Sequence, residues 1–248
     1  MKNRSKRKQS ERNLPDNVKR FDNNNQLKGF ESFTPNGKQK IVNNLLTEYP
    51  LVFVQGYSGT GKTSGILHHY CREYMNDKTK TIIIIRTPVE AGPDKIGALP
   101  GGQDDKLEPH FSAPTLQLKQ FLGNKFDADK NKRIKFMVPN YALGMTLDDA
   151  LIIIDEAQQI SPMILKMLLE RIGNKSICAV VGDPTQLYAT DTKNRNGLSH
   201  AMGKFFVARD WGDTTQYESK SSLVASFQYD VSDNVRSDIS REVVSIYN

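Results

Sequence analysis

The chain has 248 residues and a net charge of +6, and its composition is that of a globular protein large enough to bury a core as one large domain or two small ones. No apolar signal segment follows Met1, and no run approaches the ~18 apolar residues that a membrane span needs, so we expect a cytoplasmic protein without a membrane partner. Cys71 and Cys178 lie far apart without a Cys/His cluster, which favours buried thiols and excludes a zinc site.

The positive charge is concentrated at the N-terminus. Residues 1–20 carry eight basic and two acidic side chains, so this stretch accounts for the whole net charge of +6. Residues 1–30 are polar and lack hydrophobic periodicity, and they are predicted to form a disordered basic tail ahead of a single domain, residues 31–248. Such a tail could bind nucleic-acid phosphates in a salt-dependent way or could only aid solubility, and the sequence leaves both readings open.

The ordered part of the chain is predicted to begin with a helix near Thr34. Thr34 and Pro35 fit an N-cap followed by a proline in the first turn, and apolar residues recur at helical spacing over 41–46. Gln39 falls in this helix. From its polarity alone, it is predicted to be an exposed amide.

Several apolar runs without in/out alternation are predicted to be strands covered on both faces, which is typical of a parallel sheet. They occupy residues 52–55, 81–85, 134–138, 151–154 and 177–181, with a weaker sixth run at 223–229. Helices are predicted between them, including 64–74, 162–172 and a closing helix at 235–247. The predicted fold is therefore α/β, with a mostly parallel sheet flanked by helices.

The segment 88–114 is rich in glycine and proline and interrupts this alternation. It is too long for an ordinary connection between a strand and a helix, and loops of this length are usually functional or mobile. The sequence favours a ligand-contacting loop here over a plain surface insertion.

A phosphate-binding loop follows the first strand. The run Gly56-Tyr57-Ser58-Gly59-Thr60-Gly61-Lys62-Thr63 fits the pattern G-x-x-x-x-G-K-[ST] between a strand and a helix. In such a loop the backbone N–H groups and the helix dipole hold phosphates, the lysine reaches the β- and γ-phosphates, and the Thr63 hydroxyl binds Mg²⁺. The sequence therefore predicts a nucleoside-triphosphate site.

Two acids end the fourth strand. Asp155 is predicted to hold Mg²⁺ through its water shell, and Glu156 is predicted to be the general base for an attacking water. Gln186, in the turn after the fifth strand, is predicted to contact the γ-phosphate and that water. The alternatives are a surface turn for the acid pair and an ordinary Gly-Asp-Pro turn for the third segment.

Together these motifs resemble the PhoH-like family of phosphate-loop ATPases, whose RecA-like domain is similar to the first motor domain of superfamily 1 helicases. The likeness covers roughly residues 34–248, and it is carried by a few short segments. They are the phosphate loop, Arg86-Thr87-Pro88-Val89-Glu90-Ala91-Gly92 with Gly97-Ala98-Leu99-Pro100-Gly101, Asp155-Glu156-Ala157-Gln158, Arg171-Ile172-Gly173 and Gly182-Asp183-Pro184-Thr185-Gln186.

The resemblance implies further roles. Gln39 matches a glutamine that reads adenine, which implies ATP as the nucleotide. Arg86 corresponds to a position that touches the nucleic-acid backbone, with a structural ion pair as the alternative. Arg236 lies in a segment similar to the family's closing motif and is implied to be an arginine finger, with an ordinary helix-surface arginine as the alternative.

The predicted function is an Mg²⁺-dependent, helicase-like ATPase acting on RNA or single-stranded DNA. Because one such domain can need an arginine from a neighbour, we expect a homo-oligomer, a hexameric ring, in which Arg236 completes the next subunit's site. Two alternatives remain, a nucleotide-regulated switch that binds a protein partner and a small-molecule kinase, of which Glu156 disfavours the second.

Overall fold

The computed structural model describes residues 28–88, 108–186, 196–211 and 214–247. Residues 1–27 of the predicted tail lie outside this part. So do residues 89–107, which hold most of the predicted glycine- and proline-rich loop, part of the 86–92 segment and all of the 97–101 segment that carry the family resemblance.

A parallel sheet of six strands forms the centre of the described structure. Its order is β3-β2-β4-β5-β1-β8, and every neighbouring pair is parallel. The strands are β1 (Leu51–Gln55), β2 (Thr81–Arg86), β3 (Ile134–Met137), β4 (Ala150–Asp155), β5 (Ile177–Gly182) and β8 (Val224–Gln228). The α/β architecture and the weak sixth strand predicted from the sequence are thus confirmed. Because β4, β5 and β1 are parallel neighbours, their carboxyl ends lie at the same edge of the sheet.

The sheet has a hydrophobic core on each face, which explains why its strands show no polar alternation. Alternate residues of each strand enter opposite cores: Val52, Ile82 and Ile153 face one cluster, whereas Phe53 and Ile152 face the other. The first cluster is completed by helices α2 (Gly37–Glu48), α3 (Lys62–Asn76), α4 (Ser112–Leu122) and α5 (Asn124–Asp129), and the second by α6 (Pro139–Ala142), α7 (Pro162–Leu169) and α8 (Gly197–Phe205).

The helix predicted near Thr34 begins later, at Gly37, with Asn36 as its N-cap. The Asn36 side chain accepts a hydrogen bond from the Gln39 N–H, and the Gln39 side chain accepts one from the Asn36 N–H, each at 2.9 Å. This reciprocal capping box satisfies two backbone donors at the start of the helix, so it fixes that start at Gly37.

A short helix, α1 (Lys28–Ser32), lies before the predicted start of order. Phe30 stacks on His68 with ring centroids 4.2 Å apart, and Phe33 meets Phe121 edge-on at 5.4 Å. These apolar contacts hold the segment on α3 and α4.

Other boundaries also differ from the predictions. The 162–172 helix ends at Leu169, and the closing helix, α9 (Asp238–Tyr247), begins three residues later than predicted, so Val235 and Arg236 precede it. A hairpin of β6 (Phe206–Trp211) and β7 (Thr214–Ser219) was not predicted, because its polar strands lack the apolar runs that mark the sheet. Residues 108–114, predicted as loop, form a 3-10 turn and the first turn of α4.

Cys71 and Cys178 are buried free thiols, as predicted, and burial raises the pKa of each. Within the described residues, no helix is both long and apolar enough to cross a membrane.

Candidate nucleotide site

The loop after β1 has the backbone that its glycines allow. Gly59 and Gly61 have φ of 81° and 75°, in the left-handed region that disfavours other residues. A Cβ on Gly59 would lie 2.8 Å from the Asn234 side chain, and one on Gly61 would lie 2.8 Å from the Gln39 side chain. Close packing from both sides therefore requires glycine at both positions, and α3 begins directly after them at Lys62.

A cavity of about 440 Å³ opens beside this loop. It is lined by loop and α3 residues 58–64, by the carboxyl ends of β2, β4 and β5 with the turns that follow, by the first turns of α4 and by Val235 and Arg236. The motifs predicted from separate parts of the sequence thus meet at one pocket.

Lys62 points its ammonium group back into the loop. Its Nζ donates to the carbonyl oxygens of Gly56 and Tyr57 at 2.5 and 2.6 Å. Burial lowers the pKa of Lys62 to about 8, and the negative charges of Asp183, Glu156 and Asp155 oppose the shift. A buried cation that has only neutral acceptors is well matched to a polyanion such as a triphosphate.

Thr63 and Asp155 come together although 92 positions separate them in the sequence. The Thr63 Oγ1 donates to Asp155 Oδ1 at 3.4 Å, across the edge of the sheet. Burial raises the pKa of Asp155, and the positive charge of Arg86 opposes the rise. A hydroxyl and a buried carboxylate are hard oxygen ligands of the kind Mg²⁺ takes. In proteins Mg²⁺ usually takes one or two carboxylates and completes its shell with water and substrate phosphates.

Glu156 has a left-handed backbone, with φ 52° and ψ 42°, which a residue other than glycine adopts at a cost of about 1 kcal/mol or more. Its carboxylate accepts from Arg86 at 3.3 Å and from Gln158 Nε2 at 2.7 Å. Arg86 also pairs with Asp155 at 3.5 Å. Arg86 therefore makes the ion pair that was the structural alternative for this residue, and its contact with nucleic acid stays a prediction.

Asp183 is a pocket residue to which the sequence analysis gave no role. It is 4% exposed; its Oδ1 accepts from the N–H and hydroxyl of Thr185, and its Oδ2 has no hydrogen-bond partner among the described residues. The signal was available, since Asp183 follows an apolar strand as Asp155 ends one. Gln186, which was predicted to contact the γ-phosphate, also lines the pocket.

The segment before α9 is hydrogen-bonded to the phosphate loop. The Asn234 amide donates to the Ser58 carbonyl at 3.1 Å, and the Val235 N–H donates to the Gly59 carbonyl at 3.0 Å. Arg236 follows directly and lines the pocket of its own chain. Its expected place in a neighbour's site stays a prediction.

Gln39 is 5% exposed, so the prediction of an exposed amide is wrong. Its Nε2 donates to the Gly61 carbonyl at 3.0 Å while its Oε1 takes part in the capping box. Both polar groups of the side chain already bond the protein. The reading of adenine by Gln39 stays a prediction, whereas its support of the phosphate loop is observed.

A family model described as PhoH-like protein matches residues 34–248. The chain belongs to the PhoH-like protein family. Together with the phosphate loop after β1, this membership supports a P-loop NTPase with the α/β fold that the sequence predicted.

Curated relatives agree with the family model. A PhoH-like protein of Bacillus subtilis is 37% identical over 143 residues, covering 55% of this chain and 43% of the relative. A PhoH-like protein of Synechocystis is 34% identical over 169 residues, covering 66% and 50%, and Protein PhoH of Escherichia coli is 31% identical over 161 residues, covering 62% and 44%. The chain thus matches half or less of the length of these relatives.

Solved structures that are similar to this chain include Pif1 helicases. The Candida albicans enzyme aligns with a TM-score of 0.39 at 11% identity, covering 80% of this chain and 40% of that one. Bacteroides Pif1 bound to ssDNA aligns with a TM-score of 0.30 at 15% identity, covering 74% and 38%. Likenesses at this level carry no argument about activity.

Proposed function

We propose that the PhoH-like domain is an Mg²⁺-dependent ATPase that acts on RNA or single-stranded DNA. The observation that carries the proposal is the 3.4 Å contact between Thr63 and Asp155 beside the buried Lys62 ammonium. This contact joins the phosphate loop to the acid pair. It supports one triphosphate site rather than two unrelated motifs.

In the proposed reaction, the loop N–H groups and Lys62 bind the phosphates, which places the γ-phosphate toward the ends of β4 and β5. Glu156 accepts a proton from the attacking water, and Gln186 contacts that water and the γ-phosphate. A magnesium ion held by Thr63 and Asp155 would neutralise charge that develops on the phosphate oxygens. Arg236, on the wall of the same pocket, supplies positive charge from its own chain.

The proposal of a nucleic-acid partner rests on the charge of residues 1–20 and on the family resemblance at Arg86. The homo-oligomeric ring also stays a prediction. Light scattering on the purified protein tests it directly.

A nucleotide-regulated switch is the second candidate, and one observation favours it. Helix α9 exposes Ile239, Val243 and Ile246 at helical spacing, and the segment that leads into it is hydrogen-bonded to the phosphate loop. A bound nucleotide could therefore alter an apolar face that a protein partner would recognise.

The experiment compares ATP hydrolysis by the wild-type protein and Lys62→Ala, with Mg²⁺ or EDTA, and with or without single-stranded RNA and DNA. We expect Lys62→Ala to lose nucleotide binding and at least ~10²-fold in rate, because the phosphates lose their buried cation. Lys78→Ala, which removes an exposed lysine, is the matched control. If the wild-type protein binds ATP with Mg²⁺ but hydrolyses none of it, whether RNA and DNA are present or absent, the result would favour the switch and reject the ATPase.

A further inference from the structure

One buried side chain joins the two strand ends that carry the acids of the site. Gln158 lies in the 3-10 turn after β4 and has no exposed surface. Its Nε2 donates to Glu156 Oε2 at 2.7 Å, and its Oε1 accepts from the Asp183 N–H at 3.2 Å. A single amide therefore spans from the proposed base to the turn after β5.

The surroundings fit this amide closely. A buried amide is stable only when both of its ends are bonded, and here one end bonds a carboxylate and the other a backbone donor. A Cβ on Gly182 would lie 2.3 Å from the Gln158 Oε1, so glycine at the end of β5 is what lets the amide pass. A side chain of another length would not reach both partners.

The neighbouring glutamine makes a second link between the same two turns. Gln159 Nε2 donates to the Gln186 carbonyl at 2.7 Å. Consecutive residues after β4 thus hold both ends of the segment 183–186. The turn that bears Glu156 and the turn that bears Gln186 are fixed relative to each other.

Arg86 alone does not fix the Glu156 carboxylate. Its contacts of 3.3 and 3.5 Å are divided between Glu156 and Asp155, whereas the Gln158 contact is shorter and goes to the other oxygen of Glu156. Two partners on two oxygens define the plane of the carboxylate. Only one of them, Gln158, also touches the β5 turn.

We propose that Gln158 is the positioning residue for Glu156, and that it ties the direction of this base to the turn that carries Asp183 and Gln186. The inference rests on the proposed hydrolysis of ATP, because it assigns to Gln158 the geometry of the base in that reaction. A misdirected base slows the chemical step without weakening the binding of phosphates, which contact the loop instead.

The test uses Gln158→Met, which keeps the length but neither bond, and Gln158→Glu, which keeps an acceptor for the Asp183 N–H but sets a carboxylate against Glu156. We expect kcat to fall ~10- to 10²-fold in Gln158→Met and further in Gln158→Glu, while the Kd for ATP stays within about twofold of wild type. Gln216→Met, at an exposed position on β7, is the matched control and should leave kcat unchanged.

A double-mutant cycle separates positioning from general destabilisation. In a Glu156→Gln background, Gln158→Met should cause little further loss, because the base it positions is already gone. Equal losses in both backgrounds, or a Kd that rises in step with the fall in kcat, would overturn the proposal. If both Gln158 variants unfold in thermal melts, Gln158→Asn, which keeps the amide but is one methylene too short to bond both partners, takes their place, and an unchanged kcat in that variant rejects the proposal. Absent hydrolysis by the wild-type protein rejects the proposed function instead, and with it this role.

Discussion

The two walls of the pocket are built in different ways. The acid wall consists of Asp155, Glu156 and Asp183 at the ends of β4 and β5, and its contacts join side chains to one another. The phosphate cradle consists of loop residues 56–63, and its supports, Gln39 and Asn234, each donate to a carbonyl oxygen of the loop. The acid wall thus depends on which side chains are present, whereas the cradle depends on a backbone shape fixed from outside. We expect changes in the first to affect turnover and changes in the second to affect binding.

Glu156→Gln is expected to show the largest difference between an effect on turnover and an effect on nucleotide binding. The amide keeps the size of the side chain but cannot accept a proton from water, so kcat should fall up to ~10⁴-fold while nucleotide affinity stays near wild type. Single-turnover hydrolysis together with a titration of fluorescent ATP measures both quantities. Near-normal hydrolysis would show that Glu156 is not the base.

Arg236 lies on the cradle side of the pocket but is proposed to act in the reaction. Its variant therefore tests whether residues on the cradle side affect only binding. We expect Arg236→Ala to lose ~10³-fold in kcat, the low end of the range for arginine fingers, with a smaller effect on binding. Arg209→Ala, at an exposed position on the hairpin, is the control.

Mixing variants decides which chain supplies the arginine. Lys62→Ala subunits carry an intact Arg236 but should not bind ATP, so they could rescue Arg236→Ala only by acting on a neighbour. Because Arg236 lines the pocket of its own chain, we expect no recovery of activity in the mixture. Recovery of ATPase activity would support the arrangement in which Arg236 of one subunit completes the nucleotide site of the next.

The sequence predicted what short-range pattern determines. The phosphate loop, the acids at the end of β4 and the apolar strands are contiguous runs whose residue types and spacing predict their local structure. The structure places all of them where they were predicted. The weak run at 223–229 also forms a strand, because pairing with β1 supplies the order that its own composition does not.

Long-range contacts could not be predicted from the sequence. The burial of Gln39 depends on the approach of Gly61, and the role of Asn234 depends on a loop 176 positions earlier. The helix start at Asn36 was missed because Thr34 and Pro35 also fit a helix start, and only the reciprocal bonds with Gln39 decide between them. The role of Asp183 was not predicted because Gly-Asp-Pro is also a common turn sequence, and only the fold shows that this carboxylate lines the pocket.

The smallest effect is expected from Asn234→Ala, and it should fall on the cradle. Asn234 is 1% exposed; its amide donates to the Ser58 carbonyl, and its Oδ1 accepts from the Arg236 N–H. Removing the side chain takes these partners from the Ser58 carbonyl and the Arg236 N–H, which should lower the free energy of unfolding by about 1 kcal/mol. We expect the Kd for ATP to rise several-fold, because the loop loses its support, whereas kcat should fall less than in Arg236→Ala, since the guanidinium is retained.

Asn76→Ala, at the exposed end of α3, controls for loss of an asparagine. Urea denaturation and nucleotide titration of the two variants measure the effects on stability and binding separately. A loss of stability in Asn234→Ala with an unchanged Kd would show that the loop keeps its shape without the closing segment. The cradle would then depend on its own glycines and on Gln39, and the C-terminal part of the domain would have no direct part in holding the nucleotide.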